Sequence, residues 1–299
     1  MKKVLITGAS GFVGHYCLPL LIAKGYEVHA VYLQRNRTRD ENVIWHRVDL
    51  LDPAKVSDLL ALVKPSHLLH LAWFATPGEF WSSLENVRWV QASLQLLQAF
   101  AINGGRRVVM AGSCAEYDWQ HGYCLEGHTP LVPATLYGAS KHAVQCLLDA
   151  FAVQAKISAA WGRIFFLYGP HEHPDRLVAY VIRSLLHREQ AQCSHGNQAR
   201  DFLYVKDAAD AFIALLESDV LGPVNIASGE AITLKEIILK IADLLDGRDL
   251  VQFGSLPVFD EPELLVADVS RLRKDLGWKQ QWGLAEGLRE TISWWQAHL

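Results

Sequence analysis

The feature that most constrains this chain is a glycine array that follows its first apolar run. The letters KVLIT lead into TGASGFVGH, which places Gly8, Gly11 and Gly14 at intervals of three residues. Glycines there permit a tight turn and a close approach of a diphosphate to the N-terminus of the next helix. The array predicts a dinucleotide site, and a tight turn without a ligand is the alternative. The expected cofactor contacts in this turn are Gly8, Ser10, Gly11, Phe12, Val13 and Gly14.

Short apolar runs alternate with helical patterns along the first half of the chain. Strands are predicted at KVLIT, EVHAVYL, VIWHRVDL, HLLHLAW, RRVVMAGS and ISAAWGRIFFLYG, with helices near 12–24, 54–63, 83–103 and 135–155. This alternation indicates a parallel sheet covered on both faces. We expect an α/β fold, a Rossmann-type doubly wound parallel sheet with a smaller mixed α/β C-terminal substrate domain. The NAD(P)-binding domain is predicted to comprise 1–168 and 200–229, and the substrate domain 169–199 and 230–299.

Composition removes several classes of function. The net charge is −4 and no basic stripe is present, which argues against a nucleic-acid partner. No apolar run reaches the roughly 18 residues of a membrane span, and the apolar start ends too early for a signal peptide. Five cysteines without a CxxC pair are typical of free thiols in a reducing compartment, so a cytoplasmic location is expected. His171 and His173 flank Glu172 without a third ligand, and no metal site is predicted.

The choice between NAD(H) and NADP(H) depends on the end of the second strand. An acid usually binds the ribose 2′-hydroxyl there, but this chain has Tyr32, followed by Arg35, Arg37 and Arg39. Guanidinium groups suit a 2′-phosphate, so NADP(H) is favoured and NAD(H) is possible; a solvated basic loop is the alternative.

Further cofactor contacts are expected at the ends of the third and fourth strands. Asp49 is predicted to contact the adenine, together with Leu50, or else to cap the helix that starts near Pro53. Leu71 and Ala72, after the fourth strand, complete the expected cofactor contacts.

The letters YGASK place Tyr137 and Lys141 four residues apart, on one face of a predicted helix. An ammonium group near a phenol lowers the pKa of the phenol, as a proton-exchanging tyrosine requires. The five letters alone fit a catalytic pair or an ordinary surface pair.

Taken together, these motifs resemble the extended short-chain dehydrogenase/reductase family of NAD(P)-dependent nucleotide-sugar epimerases, dehydratases and reductases. The resemblance spans nearly the whole chain and implies that Ser113, Tyr137 and Lys141 are catalytic. For Ser113, a strand-end hydroxyl bonded to the backbone is the alternative. It also implies a nucleotide-sugar substrate and a homodimer formed through the helices near 83–103 and 135–155. The motifs that carry it are TGASGFVG, VDLLD, HLAW, AGSCAEY, YGASK, GRIFFLYGP, RDFLYVKDAADA, VNIASGE and LRKDLGW.

Departures from the family pattern narrow the activity. Dehydratases carry an Asp-Glu pair after the position of Ser113, whereas this chain has Cys114 and Ala115, which argues against water elimination. Phe166 and Trp89 stand where the family usually has asparagine, which indicates a more aromatic substrate site. The predicted substrate contacts are Trp73, Cys114, Glu116, Phe166, Arg176 and Arg200. Phe80, Trp81, Tyr117 and Trp119 are expected either to line a sugar or base or to pack in the core.

Alternatives stay open for the role of Arg200 and for the function as a whole. Arg200 resembles the family arginine that pairs with substrate phosphate, but an ion pair with Asp201 or Asp207 is also open. The preferred function is NADP(H)-dependent reduction of a nucleotide-linked 4-keto-6-deoxyhexose, with Tyr137 as the proton donor. An epimerase that retains NAD(H) is the first alternative, and an NADP(H)-binding regulatory module without catalysis is the second.

Overall fold

A computed structural model describes residues 2–33, 40–257 and 262–299. The strands are β1 (Lys3–Thr7), β2 (Glu27–Tyr32), β3 (Val43–Arg47), β4 (His67–His70), β5 (Arg107–Ser113), β6 (Tyr123–Cys124), β7 (Ser158–Ile164), β8 (Phe166–Tyr168), β9 (Ala191–Cys193), β10 (Ala199–Tyr204), β11 (Gly222–Ile226), β12 (Ala231–Thr233), β13 (Val251–Phe253) and β14 (Leu264–Ala267). The α-helices are α1 (Gly14–Ala23), α2 (Pro53–Val63), α3 (Glu85–Ile102), α4 (Leu136–Ala155), α5 (Leu177–Leu186), α6 (Val205–Glu217), α7 (Leu234–Leu244) and α8 (Leu284–His298).

The main sheet has seven parallel strands in the order β11-β7-β5-β4-β1-β2-β3. The interior strand β1 is apolar on both faces, and Val4, Leu5 and Ile6 are fully buried. One face packs against α1 and α6, and the other against α2, α3 and α4. Helices on both faces explain why these strands read as continuous apolar runs, and they confirm the expected doubly wound fold.

A second group of elements forms a smaller sheet in the order β12-β10-β14-β6, with β8 paired to β10. A separate core joins α5, α7 and α8 to β8, β9 and β10. The segment 171–199, which reads as irregular in the sequence, contains α5 and β9. The predicted domain limits place β8 and β10 with the NAD(P)-binding domain, whereas both strands pair within the smaller sheet; the division itself stays a prediction.

The topology brings the predicted site residues to one edge of the main sheet. Strands β1, β4 and β5 are neighbours and run parallel, so the segments after Thr7, His70 and Ser113 leave the sheet side by side. The carboxyl edge of such a sheet is where doubly wound folds bind ligands. In the described part of the chain, no helix combines the length and apolar character that crossing a bilayer requires.

Candidate active site

The turn after β1 is packed so closely that it requires glycine at two positions. Gly8 has a φ of +68°, and a Cβ atom added to it would lie 2.8 Å from the backbone nitrogen of Ala72. A Cβ atom added to Gly14 would lie 2.1 Å from the carbonyl oxygen of Gly8. None of the described side chains caps the first turn of α1. The amides of His15 and Tyr16 donate to the carbonyl oxygens of Gly11 and Val13, and the positive end of the helix dipole favours an anion at this terminus. This cradle fits the diphosphate of a dinucleotide.

The loop between β4 and α3 is tied to the cradle by a buried histidine. The His70 Nδ1 atom lies 2.7 Å from the Thr7 hydroxyl, and its Nε2 atom lies 2.9 Å from the Ser93 hydroxyl. Burial and the nearby Lys141 ammonium lower the pKa of His70 to about 3, so its ring is neutral. Thr7 Oγ1 also accepts a hydrogen bond from the Ala72 amide at 3.3 Å. His70 therefore fixes the backbone that borders the cradle, a role that the sequence did not suggest.

The expected contacts with the adenosine are placed only in part. Asp49 accepts a hydrogen bond from the Leu51 amide at 3.0 Å, whereas Asp52 accepts from two amides in the first turn of α2. The alternative in which Asp49 caps that helix is therefore wrong, and the adenine contact of Asp49 and Leu50 stays a prediction. The arginines on which the NADP(H) preference rests lie outside the described residues, at positions 35, 37 and 39.

Tyr137 lies in the first turn of α4, beside the end of β5. Thr135 caps this helix, and its hydroxyl accepts a hydrogen bond from the Gly138 amide at 3.1 Å. A Cβ atom on Gly138 would lie 2.1 Å from the Ala115 carbonyl oxygen, so a glycine lets α4 approach the turn after Ser113. Burial raises the pKa of Tyr137 above its usual value, and a hydrogen bond with the Ser113 side chain opposes this. The net direction is opposite to that expected from a neighbouring ammonium alone.

Lys141 points inwards and is only 4% exposed, which contradicts the surface-pair alternative. Its Nζ atom donates a hydrogen bond to the Ala111 carbonyl at 2.8 Å and lies 6.0 Å from the centre of the Tyr137 ring. Burial lowers the pKa of Lys141 to about 7, while the Glu116 carboxylate opposes the shift. The amine is thus close to its titration point at neutral pH.

Glu116 was expected as a substrate contact, but its side chain is fully buried beneath the site. Its carboxylate accepts hydrogen bonds from the Ser113 amide at 2.7 Å, from the Trp161 indole at 2.9 Å and from the Arg163 Nε at 2.7 Å. Arg163 also donates to the Tyr117 hydroxyl at 3.2 Å, and Tyr117 is 1% exposed. Glu116 is therefore not placed to contact a substrate, and Tyr117 follows the core-packing alternative; both belong to a buried polar network that supports Ser113 from below.

Aromatic side chains surround the Tyr137 ring. The ring centres of Phe80, Trp81 and Trp73 lie 4.8, 5.7 and 6.5 Å from it, all close to perpendicular. The Trp119 ring lies 5.9 Å from that of Trp81. We call this group the aromatic enclosure: Trp73, Phe80, Trp81 and Trp119. The structure thus brings Trp73 to the predicted catalytic residues.

The remaining predicted substrate residues differ in accessibility. The guanidinium of Arg176 lies 5.3 Å from the centre of the Phe80 ring, and its charge lowers the pKa of Tyr137. Arg176 is exposed, so it borders the enclosure from the solvent side. Cys114 is buried, and burial raises the pKa of its thiol above the usual range. Both substrate contacts stay predictions.

Arg200 is 2% exposed and lies against Phe166, with its guanidinium 5.5 Å from the ring centre. It donates hydrogen bonds to the carbonyl oxygens of Ala199 at 3.0 Å and Pro262 at 2.8 Å. Asp201 instead accepts hydrogen bonds from the backbone amides of Ser228, Gly229 and Ala267. The carboxylate of Asp207 accepts from the amides of Gln281 and Trp282. Burial and these carbonyl bonds fit a structural role for Arg200, and its phosphate contact stays a prediction.

Within residues 2–33, 40–257 and 262–299, no three His, Cys, Asp or Glu side chains lie close enough together to hold a metal ion. Glu172, between the two histidines of its loop, is 6% exposed, and burial raises its pKa to about 8.

The doubly wound sheet, the glycine cradle and the inward-pointing Tyr–Lys pair define the class. The fold and this site are those of a dinucleotide-dependent oxidoreductase of the extended short-chain dehydrogenase/reductase type. The chain belongs to the NAD dependent epimerase/dehydratase family, which it matches over residues 4–227. The family expected from the sequence motifs is thereby confirmed.

Three relatives illustrate the range of the family. The chain is 26% identical to UDP-glucuronic acid decarboxylase 1 of Danio rerio, over 100% of this chain and 73% of the relative. It superposes on UDP-N-acetylglucosamine 4-epimerase from Methanobrevibacter ruminantium with a TM-score of 0.91 and 27% identity, covering 100% and 99% of the two chains. MoeE5, solved with UDP-glucuronic acid and NAD, gives a TM-score of 0.86 and 31% identity over 99% and 100%.

These relatives bear on the cofactor and on the reaction. The family is described as NAD dependent, and the MoeE5 structure contains NAD. The expected preference for NADP(H) receives no support from them. Epimerases, decarboxylases and dehydratases are among the relatives, whereas the specific expectation of 4-keto reduction stays a prediction.

Proposed function

We propose that this chain is an NAD-dependent nucleotide-sugar 4-epimerase. The observation that carries the proposal has two parts. Ser113, Tyr137 and Lys141 lie together, and the turn that follows Ser113 lacks the pair of carboxylates that would serve as acid and base. Positions 114 and 115 are Cys and Ala, and the one nearby carboxylate, Glu116, is bound to Arg163. Epimerisation needs a proton acceptor for one hydroxyl, whereas water elimination also needs a second acid and base. Several relatives named 4-epimerases support the same choice.

Tyr137 is the proposed proton carrier. Its phenolate takes the proton from the sugar 4-hydroxyl as hydride leaves C4, and the resulting hydroxyl returns that proton when hydride is added back, while Ser113 holds the same sugar oxygen by a hydrogen bond. Bound NAD supplies the acceptor and donor of hydride at its nicotinamide ring. Because burial raises the pKa of Tyr137, nearby positive charge is needed to stabilise the phenolate. The charge of Arg176 lowers that pKa, and the protonated form of Lys141, 6.0 Å from the ring centre, is the second cation proposed for this role.

The aromatic enclosure is the proposed sugar site. Trp81 is 38% exposed beside Tyr137, and such an aromatic surface packs on the apolar face of a sugar ring, whereas Phe80 is buried against both rings. A surface pocket of about 530 Å³, lined by residues 119–122 and 262–264, adjoins the enclosure through Trp119. Its volume lies in the usual range for small-molecule sites. Arg176, exposed at the rim, suits an anionic group of the substrate.

A second candidate is reduction of a nucleotide-linked 4-keto-6-deoxyhexose with consumption of NADPH. Tyr32 at the end of β2 and the arginines at 35, 37 and 39 favour it, because this pattern suits a 2′-phosphate. The same three catalytic residues serve both reactions. The candidates differ in whether reducing equivalents are consumed.

The test is a comparison of two assays on the purified protein. In the first, UDP-glucose, UDP-glucuronic acid and UDP-N-acetylglucosamine are each incubated with NAD⁺, and proton NMR follows the sugar. Formation of the C4 epimer without net NADH supports the proposal. In the second, nucleotide 4-keto-6-deoxysugars are added with NADPH or NADH. Stoichiometric loss of NADPH absorbance, with no epimer in the first assay, would replace the epimerase by the reductase.

A homodimer is also proposed, through α3 and α4. The two helices pack against each other and present exposed apolar side chains, namely Val87, Ile102, Leu147 and Val153. Burying such a surface against a second copy would remove it from water. Light scattering at several concentrations should give twice the mass of the 33.5 kDa chain. A monomer at all concentrations would remove this proposal.

A further inference from the structure

Lys141 has an aromatic partner that nothing in its motif predicts. Its Nζ atom lies 3.9 Å from the centre of the Trp73 ring, considerably closer than the 6.0 Å to the Tyr137 ring. The face of an indole attracts a cation electrostatically, and the attraction is strongest where water is excluded. The 4% exposure of Lys141 meets that condition.

The other charged and titratable groups around Lys141 stabilise its ammonium only in part, so the Trp73 indole has an important share in that stabilisation. Glu116 faces it from the turn after β5, but that carboxylate is shared with Arg163 at 2.7 Å. His70 faces it from β4 and is neutral at pH 7, and Tyr137 lies on the same helix. Among these described neighbours, Trp73 adds an attraction for the ammonium without adding a second titrating site.

The indole is held in place by a buried asparagine. The Trp73 Nε1 atom donates a hydrogen bond to the Asn86 Oδ1 atom at 2.9 Å. The Asn86 amide nitrogen donates to the carbonyl oxygens of Phe80 at 2.7 Å and Ser83 at 2.8 Å, and Asn86 is fully buried. Its acceptor and both of its donor hydrogens are therefore used. One residue thus orients both the indole over Lys141 and the backbone that carries Phe80.

We propose that Trp73 is a positioning residue, whose indole face, locked by Asn86, favours the charged form of the Lys141 amine and orients it beside Tyr137. The proposal rests on the proposed function in one respect, that Lys141 belongs to the catalytic group. The physical claim about the ammonium is independent of which sugar is converted. Removing the aromatic face removes its attraction for the charged amine, so the proposal predicts that the pKa of Lys141 falls, whereas water entering the vacated space would raise it.

The direct test is the ionisation of Lys141 itself, measured without substrate. Lysine labelled with ¹³C at Cε reports protonation by NMR, and Lys141→Met identifies the resonance by its loss. We expect the pKa of Lys141 to decrease in the order wild type, Trp73→Phe, Trp73→Leu, with a total shift of about one unit. Trp89→Leu is the matched control, because its ring lies 6.1 Å from that of Trp73 and should leave the value unchanged.

Two outcomes would overturn the proposal. One is an unchanged pKa in Trp73→Leu, and the other is an equal shift in Trp89→Leu, which would point to packing alone. If Trp73→Leu does not fold, Trp73→Phe decides by the same criterion. With substrate, the alkaline limb of the pH–rate profile should move by the same amount as the NMR value. If no sugar is converted, the proposed function fails, while the order of the NMR values still decides the role of Trp73.

Discussion

The glycine cradle and the aromatic enclosure are built in opposite ways. The cradle depends on the absence of side chains, since a Cβ atom on Gly14 would collide with the Gly8 carbonyl. The enclosure depends on large side chains, and Trp73, Phe80 and Trp81 pack around Tyr137. A turn made of backbone suits a group common to many ligands, such as a diphosphate, whereas the side chains of a loop can change from one protein to another.

The largest effect is expected from removing the Tyr137 hydroxyl, the proposed proton carrier beside both the cradle and the enclosure. Tyr137→Phe keeps the ring and its aromatic contacts, so NAD binding and the thermal midpoint should be close to wild type. Turnover should fall by on the order of 10³-fold, because the proton carrier is lost. Steady-state kinetics on the substrate found in the panel measures this. Turnover within about threefold of wild type would contradict the mechanism.

The buried polar network of Glu116 and Arg163 should not tolerate a single unpaired charge. Arg163→Met leaves the Glu116 carboxylate buried without its cation, and the free energy of unfolding should fall by about 3–5 kcal/mol. Urea unfolding measures the change. The control is Arg88→Met, which removes an exposed pair with Glu85 and should cost under about 1 kcal/mol. Equal effects of the two substitutions would show that the buried network is not required.

The cradle can be tested separately from the enclosure. Gly14→Ala introduces a Cβ atom 2.1 Å from the Gly8 carbonyl, and the turn must shift to accommodate it. NAD affinity should weaken roughly 10- to 100-fold, since such overpacking costs about 1–3 kcal/mol. Calorimetric titration with NAD measures it. Gly283→Ala is the control, because a Cβ atom there meets nothing within 4 Å. Unchanged affinity in Gly14→Ala would remove the cradle from the cofactor site.

A pH-dependent effect is expected from the loop between β8 and α5. Glu172 has a pKa of about 8 in the folded protein against 4.5 as a free group, because burial disfavours its charge. At this residue the folded state therefore binds more protons between these values, and the contribution of Glu172 to stability should decrease as the pH rises from 4.5 to 8. Glu172→Gln should remove that decrease, whereas Asp175→Asn, an exposed neighbour, should not. Denaturant unfolding across this pH range would contradict the account if both variants retained the wild-type slope.

The sequence was sufficient to predict the glycine cradle and the placing of Tyr137 and Lys141 on one helix face. The aromatic enclosure could be predicted only in part. Gly8, Gly14 and the Tyr137–Lys141 spacing act through local backbone geometry, which a short motif determines. The orientation of Glu116 could not be read from its neighbours, because it is set by Arg163, 47 residues away. Tyr117 likewise turns into the core because it donates to Asn225, 108 residues away.

The roles of Asn86 and Trp73 were missed for a related reason. Asn86 carries no motif, and its function follows only from the three hydrogen bonds that it makes. The aromatic letters between 73 and 81 fit a loop packed in the core as well as a loop that lines a substrate site. Only the packing of its rings against Tyr137 separates the two.

The measurement that tests the central claim most directly is the fate of deuterium placed at C4 of the converted nucleotide sugar. The account predicts that the C4 epimer retains the deuterium, with no exchange into water, because the same hydrogen leaves and returns while Tyr137 handles only the hydroxyl proton. Proton and deuterium NMR of the product give the answer. Loss of the C4 label to solvent would contradict hydride chemistry at that carbon and with it the role assigned to Ser113, Tyr137 and Lys141.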